Sequence, residues 1–136
     1  MPYVKEDDNA KATSHWWVSP LLTIEESCSQ CHPQGEEYLR NRVYAIQDQH
    51  NELMDLAAQT MVKAVESIET ALNTQGVDQE LLSQAQEIYR KAFWYFDWVS
   101  TANSVGFHNP QEGAKFLGYS IQYANEAIQS AQKAVK

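Results

Sequence analysis

From Glu36 to about Thr74 the apolar positions recur at steps of three and four: Leu39, Val43, Ile46, Leu53, Ala57, Met61, Ala64, Ile68 and Leu72, with His50 on the same stripe. That spacing places them along one face of a helix. No Pro or Gly interrupts the run. Gly35 precedes it, Glu36 and Glu37 suit the positive N-terminal end, and Gly76 offers a left-handed exit. At a rise of ~1.5 Å per residue the helix approaches ~60 Å, too long for a compact chain of 136 residues. Part of it is therefore expected to pack on something outside the fold.

Two further helices follow. Asp78 reads as the N-cap of one that runs to about Ala102 and carries Leu81, Leu82, Ala85, Ile88, Tyr89, Ala92, Phe96 and Val99. Within it Phe93-Trp94-Tyr95-Phe96-Asp97-Trp98 is aromatic nearly all the way round, so it needs cover on more than one side, and Asp97 must be paired or solvated. Asn109-Pro110-Gln111-Glu112 opens the last helix with a cap, a Pro at the first helical position and a capping-box Glu. Ala114, Leu117, Ile121, Ala124, Ile128, Ala131 and Val135 then give a narrow seam of small residues suited to antiparallel packing.

Residues 1–27 lack such periodicity. Pro2, Pro20 and the acidic run Glu6-Asp7-Asp8 read as an irregular arm that follows a surface. The expected fold is all-α: a long antiparallel helical hairpin or three-helix bundle over 36–136, with an irregular N-terminal arm over 1–35.

That arm carries the candidate chemistry. Cys28-Ser29-Gln30-Cys31-His32 uses both cysteines of the chain and sets a His directly after the second. Two thiols one helical turn apart can each form a thioether to a porphyrin vinyl group, while the adjacent imidazole reaches the iron from the same side. Other readings stay open. A redox disulfide expects a βαβ context that this pattern does not offer. A zinc site would need two of His15, His50 and His108, which stand at no zinc-finger spacing. A structural disulfide or a pair of free thiols completes the set.

The remaining histidines divide by context. His15 adjoins Trp16 and Trp17, where packing and ligation are both available roles. His50, on the apolar stripe, reads as a core or interface histidine bonded to a neighbour rather than an iron ligand. His108 sits just before a rigid Asn-Pro helix start, which suits an imidazole that must hold one direction. The four tryptophans and seven tyrosines read as core fillers, several of which can lie against flat porphyrin faces.

A net charge of −8 and a pI near 4.9 argue against nucleic acid and anionic membranes as partners. No apolar run reaches the ~20 residues of a membrane span, so no membrane insertion is expected. There is no phosphate loop, nucleophile elbow, paired-carboxylate constellation or calcium loop. Any redox chemistry falls to the haem. No secretory leader opens the chain, although thioether attachment takes place outside the cytoplasm. Either a leader has been removed or the chain belongs to a longer one, and a periplasmic or other extracytoplasmic location is expected.

End to end the chain resembles the C-terminal portion of the pentahaem, ammonia-forming cytochrome c nitrite reductases. The resemblance runs through Ala12-Thr13-Ser14-His15, Ser19-Pro20-Leu21, Ser27-Cys28-Ser29-Gln30-Cys31-His32, Arg42-Val43-Tyr44-Ala45-Ile46-Gln47-Asp48 and Gly106-Phe107-His108-Asn109-Pro110-Gln111-Glu112-Gly113. It implies that Cys28, Cys31 and His32 carry the last haem c, an electron-transfer haem whose far-side ligand lies upstream. It implies that His15 and His108 are far-side ligands of two haems attached upstream, and that the catalytic haem lies outside this chain. Met1 is then an internal residue of the parent. The long helices would form a homodimer interface, and the upstream haem domain and an electron-donor cytochrome would be the other partners. The expected function is electron relay and dimerisation in an enzyme that reduces nitrite to ammonium. A free-standing small monohaem cytochrome and a haem-free helical assembly domain are the alternatives.

Overall fold

The computed structural model describes residues 3–5 and 11–136. The chain divides into two compact units, Met1–Ala45 and Ile46–Lys136, and the division falls inside the longest helix.

The first unit is more ordered than an irregular arm. Strand β1 (Tyr3–Lys5) pairs antiparallel with β2 (Lys11–Thr13), with Tyr3 opposite Thr13 and Val4 opposite Ala12. A single 3-10 turn follows over Pro20–Leu22, then the one-turn helix α1 (Ile24–Ser27). Elements this short leave no periodic trace in a sequence, which is why only irregular structure was expected there. The acidic run Glu6-Asp7-Asp8 lies outside the described residues.

Helix α2 spans Glu36–Leu72, α3 Gln79–Ser100 and α4 Pro110–Ala134. Their ends are chemically specified. Gly35 and Gly76 take φ of 90° and 77°, a left-handed backbone that Gly adopts without steric cost. The Asp78 carboxylate accepts from the backbone N–H of Glu80 and Leu81, and the Asn109 side chain accepts from Glu112 N–H. Pro110 occupies the first turn of α4.

From Ile46 onward the fold is the three-helix form of the two expected. Its core is three successive layers. Ile68 and Ala71 of α2 meet Leu82 and Ala85 of α3 and Ala131 and Ala134 of α4. Met61 and Ala64 meet Ala92, Ala124 and Ala127. Ala57 meets Val99 and Leu117. The order of these layers runs α3 antiparallel to both neighbours. Alanine dominates the first two layers, so the helices approach closely there and little void remains for larger side chains. Three buried hydroxyls fit because each finds an acceptor: Thr60 Oγ1 donates to Leu56 O at 2.8 Å, Ser120 Oγ to Ala92 O at 2.9 Å and Ser130 Oγ to Leu81 O at 2.9 Å.

The bundle leaves much apolar surface uncovered. Leu56, Val62, Val65 and Leu72 of α2 are exposed, as are Phe93, Trp94 and Trp98 of α3. Tyr95 is the centre of the aromatic segment, with Trp94, Phe116, Tyr119 and Tyr123 at ring-centroid distances of 5.0 to 5.9 Å. Asp97 is solvated.

Candidate haem-attachment site

The CxxCH run is built as the continuation of α1. Ser19 Oγ accepts from Leu21 N–H to start the 3-10 turn, and Ile24, 2% exposed, anchors α1 to the unit. Backbone bonds from Ser27 N to Thr23 O and from Cys28 N to Ile24 O, both 2.8 Å, carry the helical turn up to the first cysteine. Cys28 O then accepts from Cys31 N at 3.1 Å and from His32 N at 3.0 Å. That closed turn sets Cys28 and Cys31 on one side, one turn apart. The segment is tied to the start of α2, where Arg40 Nη1 donates to Leu21 O at 2.9 Å while Nη2 is paired with Glu36.

Both thiols are free, Cys28 half-buried and Cys31 exposed. They line a common hollow of about 520 Å³ whose apolar wall includes Trp16, Trp17 and Pro20, within the size range of small-molecule and cofactor sites. The donor set fits a covalently held porphyrin: two uncommitted sulfurs open to the same space, followed by an exposed imidazole at His32. The other readings fare less well. Among the described residues no strand–helix–strand unit surrounds the pair, as a redox motif of that type would need. Among the described residues no group of three or more His, Cys, Asp or Glu side chains is assembled that could hold a metal ion, so the half-site for zinc is not completed.

The other histidines occupy contrasting environments. His15 and His108 are exposed. His108 stands directly before the α4 cap, its backbone N–H donating to Ser104 Oγ at 3.3 Å. Two α2 side chains fix the loop that carries it. Gln47 Nε2 donates to Ser104 O at 3.1 Å. His50, only 8% exposed, presses its ring against Gly106 and Gly113. A Cβ on Gly106 would stand 2.4 Å from His50 Nδ1, and one on Gly113 would stand 3.2 Å from Cε1. The sequence reading of His50 as a buried packing residue agrees with this, but no protein hydrogen bond reaches its ring among the described residues. Burial holds its pKa below the ordinary 6.5. Its pairing with two glycines more than 50 residues away was not visible in the sequence, because nothing local marks a glycine as making room for a distant ring.

A helical chain whose paired cysteines border a cofactor-sized hollow, with an exposed histidine next in sequence, has the layout of a c-type cytochrome. The comparisons agree. The cytochrome c552 family model matches residues 1–136, and the chain belongs to that family. It is 38% identical over 142 aligned residues to the cytochrome c nitrite reductase subunit NrfA of Nitratidesulfovibrio vulgaris, an alignment covering 100% of this chain and 27% of that protein. It is 34% identical to cytochrome c-552 of Bacteroides fragilis, covering 93% of this chain and 25% of the relative. A solved cytochrome c nitrite reductase from Desulfovibrio desulfuricans superposes with a TM-score of 0.88 at 36% identity, over 98% of this chain and 29% of that one. The similarity to a C-terminal portion of the cytochrome c nitrite reductases therefore holds in sequence and in fold. The chain spans about a quarter of the length of the curated relatives it matches.

Proposed function

We propose that this chain is the electron-transfer and dimerisation segment of a periplasmic multihaem c-type cytochrome nitrite reductase, with one covalent haem c. The observation that carries this reading is the pair of free thiols one turn apart at a shared hollow, with an exposed imidazole directly after them. Attachment needs no oxidant. Cys28 and Cys31 would each add across a vinyl double bond, sulfur bonding to one carbon and the thiol hydrogen going to the other, so no electron would leave the system. His32, exposed and next in sequence after Cys31, would hold the iron. When bound, the haem supplies one-electron redox chemistry.

His15 and His108 are exposed on the two units, which supports their proposed role as ligands to haems attached elsewhere in the parent enzyme. In that enzyme nitrite would take six electrons and eight protons to give ammonium and two waters. The part of this chain is to relay electrons to a catalytic haem that it does not itself hold. A relay haem with both axial positions filled leaves no site for substrate. The exposed apolar faces of α2 and α3 support the dimerisation half of the proposal.

The test is production of the chain in a compartment with haem-attachment machinery, followed by intact mass and a pyridine haemochrome spectrum. One haem per chain is expected, with a c-type absorbance, and Cys28→Ala together with Cys31→Ala abolishes both signals. A chain recovered at its polypeptide mass while a control cytochrome is matured in the same cells overturns the assignment.

A further inference from the structure

Trp16 and Trp17 stand out in the first unit. They are 77% and 93% exposed, among the highest values for large apolar side chains in the chain, yet both border the hollow that Cys28 and Cys31 border. An indole left so far in water forgoes the burial that normally makes Trp worth placing, and two in succession form a wet aromatic patch. Local hydrogen bonds flank the pair. Trp16 N–H donates to Ser14 Oγ at 3.3 Å, and Ser19 starts the 3-10 turn two residues past Trp17. Two indoles that border the same hollow as two sulfurs open to alkylation by one planar group suit that group as occupant.

We propose that Trp16 and Trp17 are positioning residues that form the wall of the porphyrin seat and set the polarity around the haem. This rests on the haem-c reading of Cys28 and Cys31 and goes further, naming which of the chain's many aromatics face the cofactor. The half-exposed Trp94 and Trp98 belong to the other unit and have no part in it. Two consequences follow. Ring contact makes the porphyrin environment asymmetric, which a Soret circular dichroism band reports. Exclusion of water disfavours the more highly charged ferric state, so the indoles raise the reduction potential.

The experiment uses the haem-loaded full chain with Trp16→Leu/Trp17→Leu, Trp16→Ala/Trp17→Ala and Trp16→Phe/Trp17→Phe. Haem per polypeptide, far-UV circular dichroism, the Soret dichroic band and the midpoint potential are measured for each. The Ala pair is expected to keep its helices and its covalent haem, lose most of the Soret dichroic intensity and shift to a lower potential. The Leu pair restores the potential but not the dichroism, and the Phe pair restores much of both. A merely structural role for the indoles would leave potential and dichroism unmoved once the haem is attached. If the Ala pair carries haem and matches the unsubstituted chain in both, the inference fails while the haem-c reading stands. If the unsubstituted chain takes up no haem, both fail. Should a second copy or another segment of a longer chain be what covers the indoles, the spectra of the monomeric haem-loaded chain will not respond to the substitutions, and the inference fails in that case too.

Discussion

His50 shows how a single ring can fix a distant loop. Gly106 takes φ of 77° and lies against the imidazole with no room for a methyl group. Gly106→Ala adds left-handed strain of ~1–2 kcal/mol to overpacking of ~1–3 kcal/mol. A loss of about 2–5 kcal/mol in urea unfolding is expected. Because the clash is with His50, adding His50→Ala should make the double variant lose less than the sum of the two single losses. Strict additivity would show that the methyl collides with something else. The same burial gives a pH dependence. The folded ring holds its proton less tightly than the ordinary 6.5, so below that value the unfolded chain binds a proton that the folded chain refuses. The stability from neutral His50 is fully present above about pH 6.5, declines as pH falls below it, and levels off once pH is below the folded value. Urea midpoints at steps from pH 8 to 5 should fall over that window in the unsubstituted chain, and His50→Gln should flatten the fall. An unchanged slope would mean that carboxylates alone account for it.

At the level of elements, the caps carry a separable share of stability. Asp78 Oδ1 accepts from Glu80 N–H at 3.0 Å and Leu81 N–H at 3.1 Å, while the Asp78 N–H donates to Ala134 O at 2.9 Å. Asp78→Ala removes the side-chain acceptor and keeps the backbone bond to α4, so a loss of about 1 kcal/mol is expected in thermal or urea unfolding. Asp78→Asn should lose much less, since its side-chain oxygen still accepts; equal losses would point to the charge rather than the cap. These caps also explain why the helices were legible. Asp78, Asn109-Pro110, Gly35 and Gly76 act through bonds and backbone angles within a few residues, so the local sequence contains the information. The CxxCH turn was legible for the same reason. The β1–β2 pair was not, because three residues per strand are too few for alternation to register. Nor was the hollow beside Cys28 and Cys31, which gathers side chains from Tyr3 to Cys31 through the turn at Pro20.

For the molecule as a whole, the unresolved demand is cover for the bundle. Alanine layers satisfy the inside of α2, α3 and α4 with small side chains, and the larger apolar residues Val62, Val65, Leu72, Phe93, Trp94 and Trp98 are left facing out. A groove of about 440 Å³ between α2 and α3, lined by Val65, Leu72 and Tyr89, continues that surface. On the dimerisation proposal a second copy would supply a partner of matching character, and the net charge of −8 would then set the conditions. Two like-charged chains repel over the Debye length, ~10 Å at 0.1 M salt, so an interface built from apolar contacts should tighten as salt screens that repulsion. Sedimentation equilibrium is expected to show the 15.5 kDa chain in a monomer–dimer equilibrium that shifts toward dimer between low and moderate salt. Val65→Lys with Leu72→Lys sets charge into the groove at exposed positions, where neither change disturbs a core layer. That variant should remain helical and run as a monomer. A chain that is monomeric at every concentration and salt, or a Lys pair that associates as well as the original, would remove homodimerisation from the proposal and leave the proposed upstream haem domain as the source of cover.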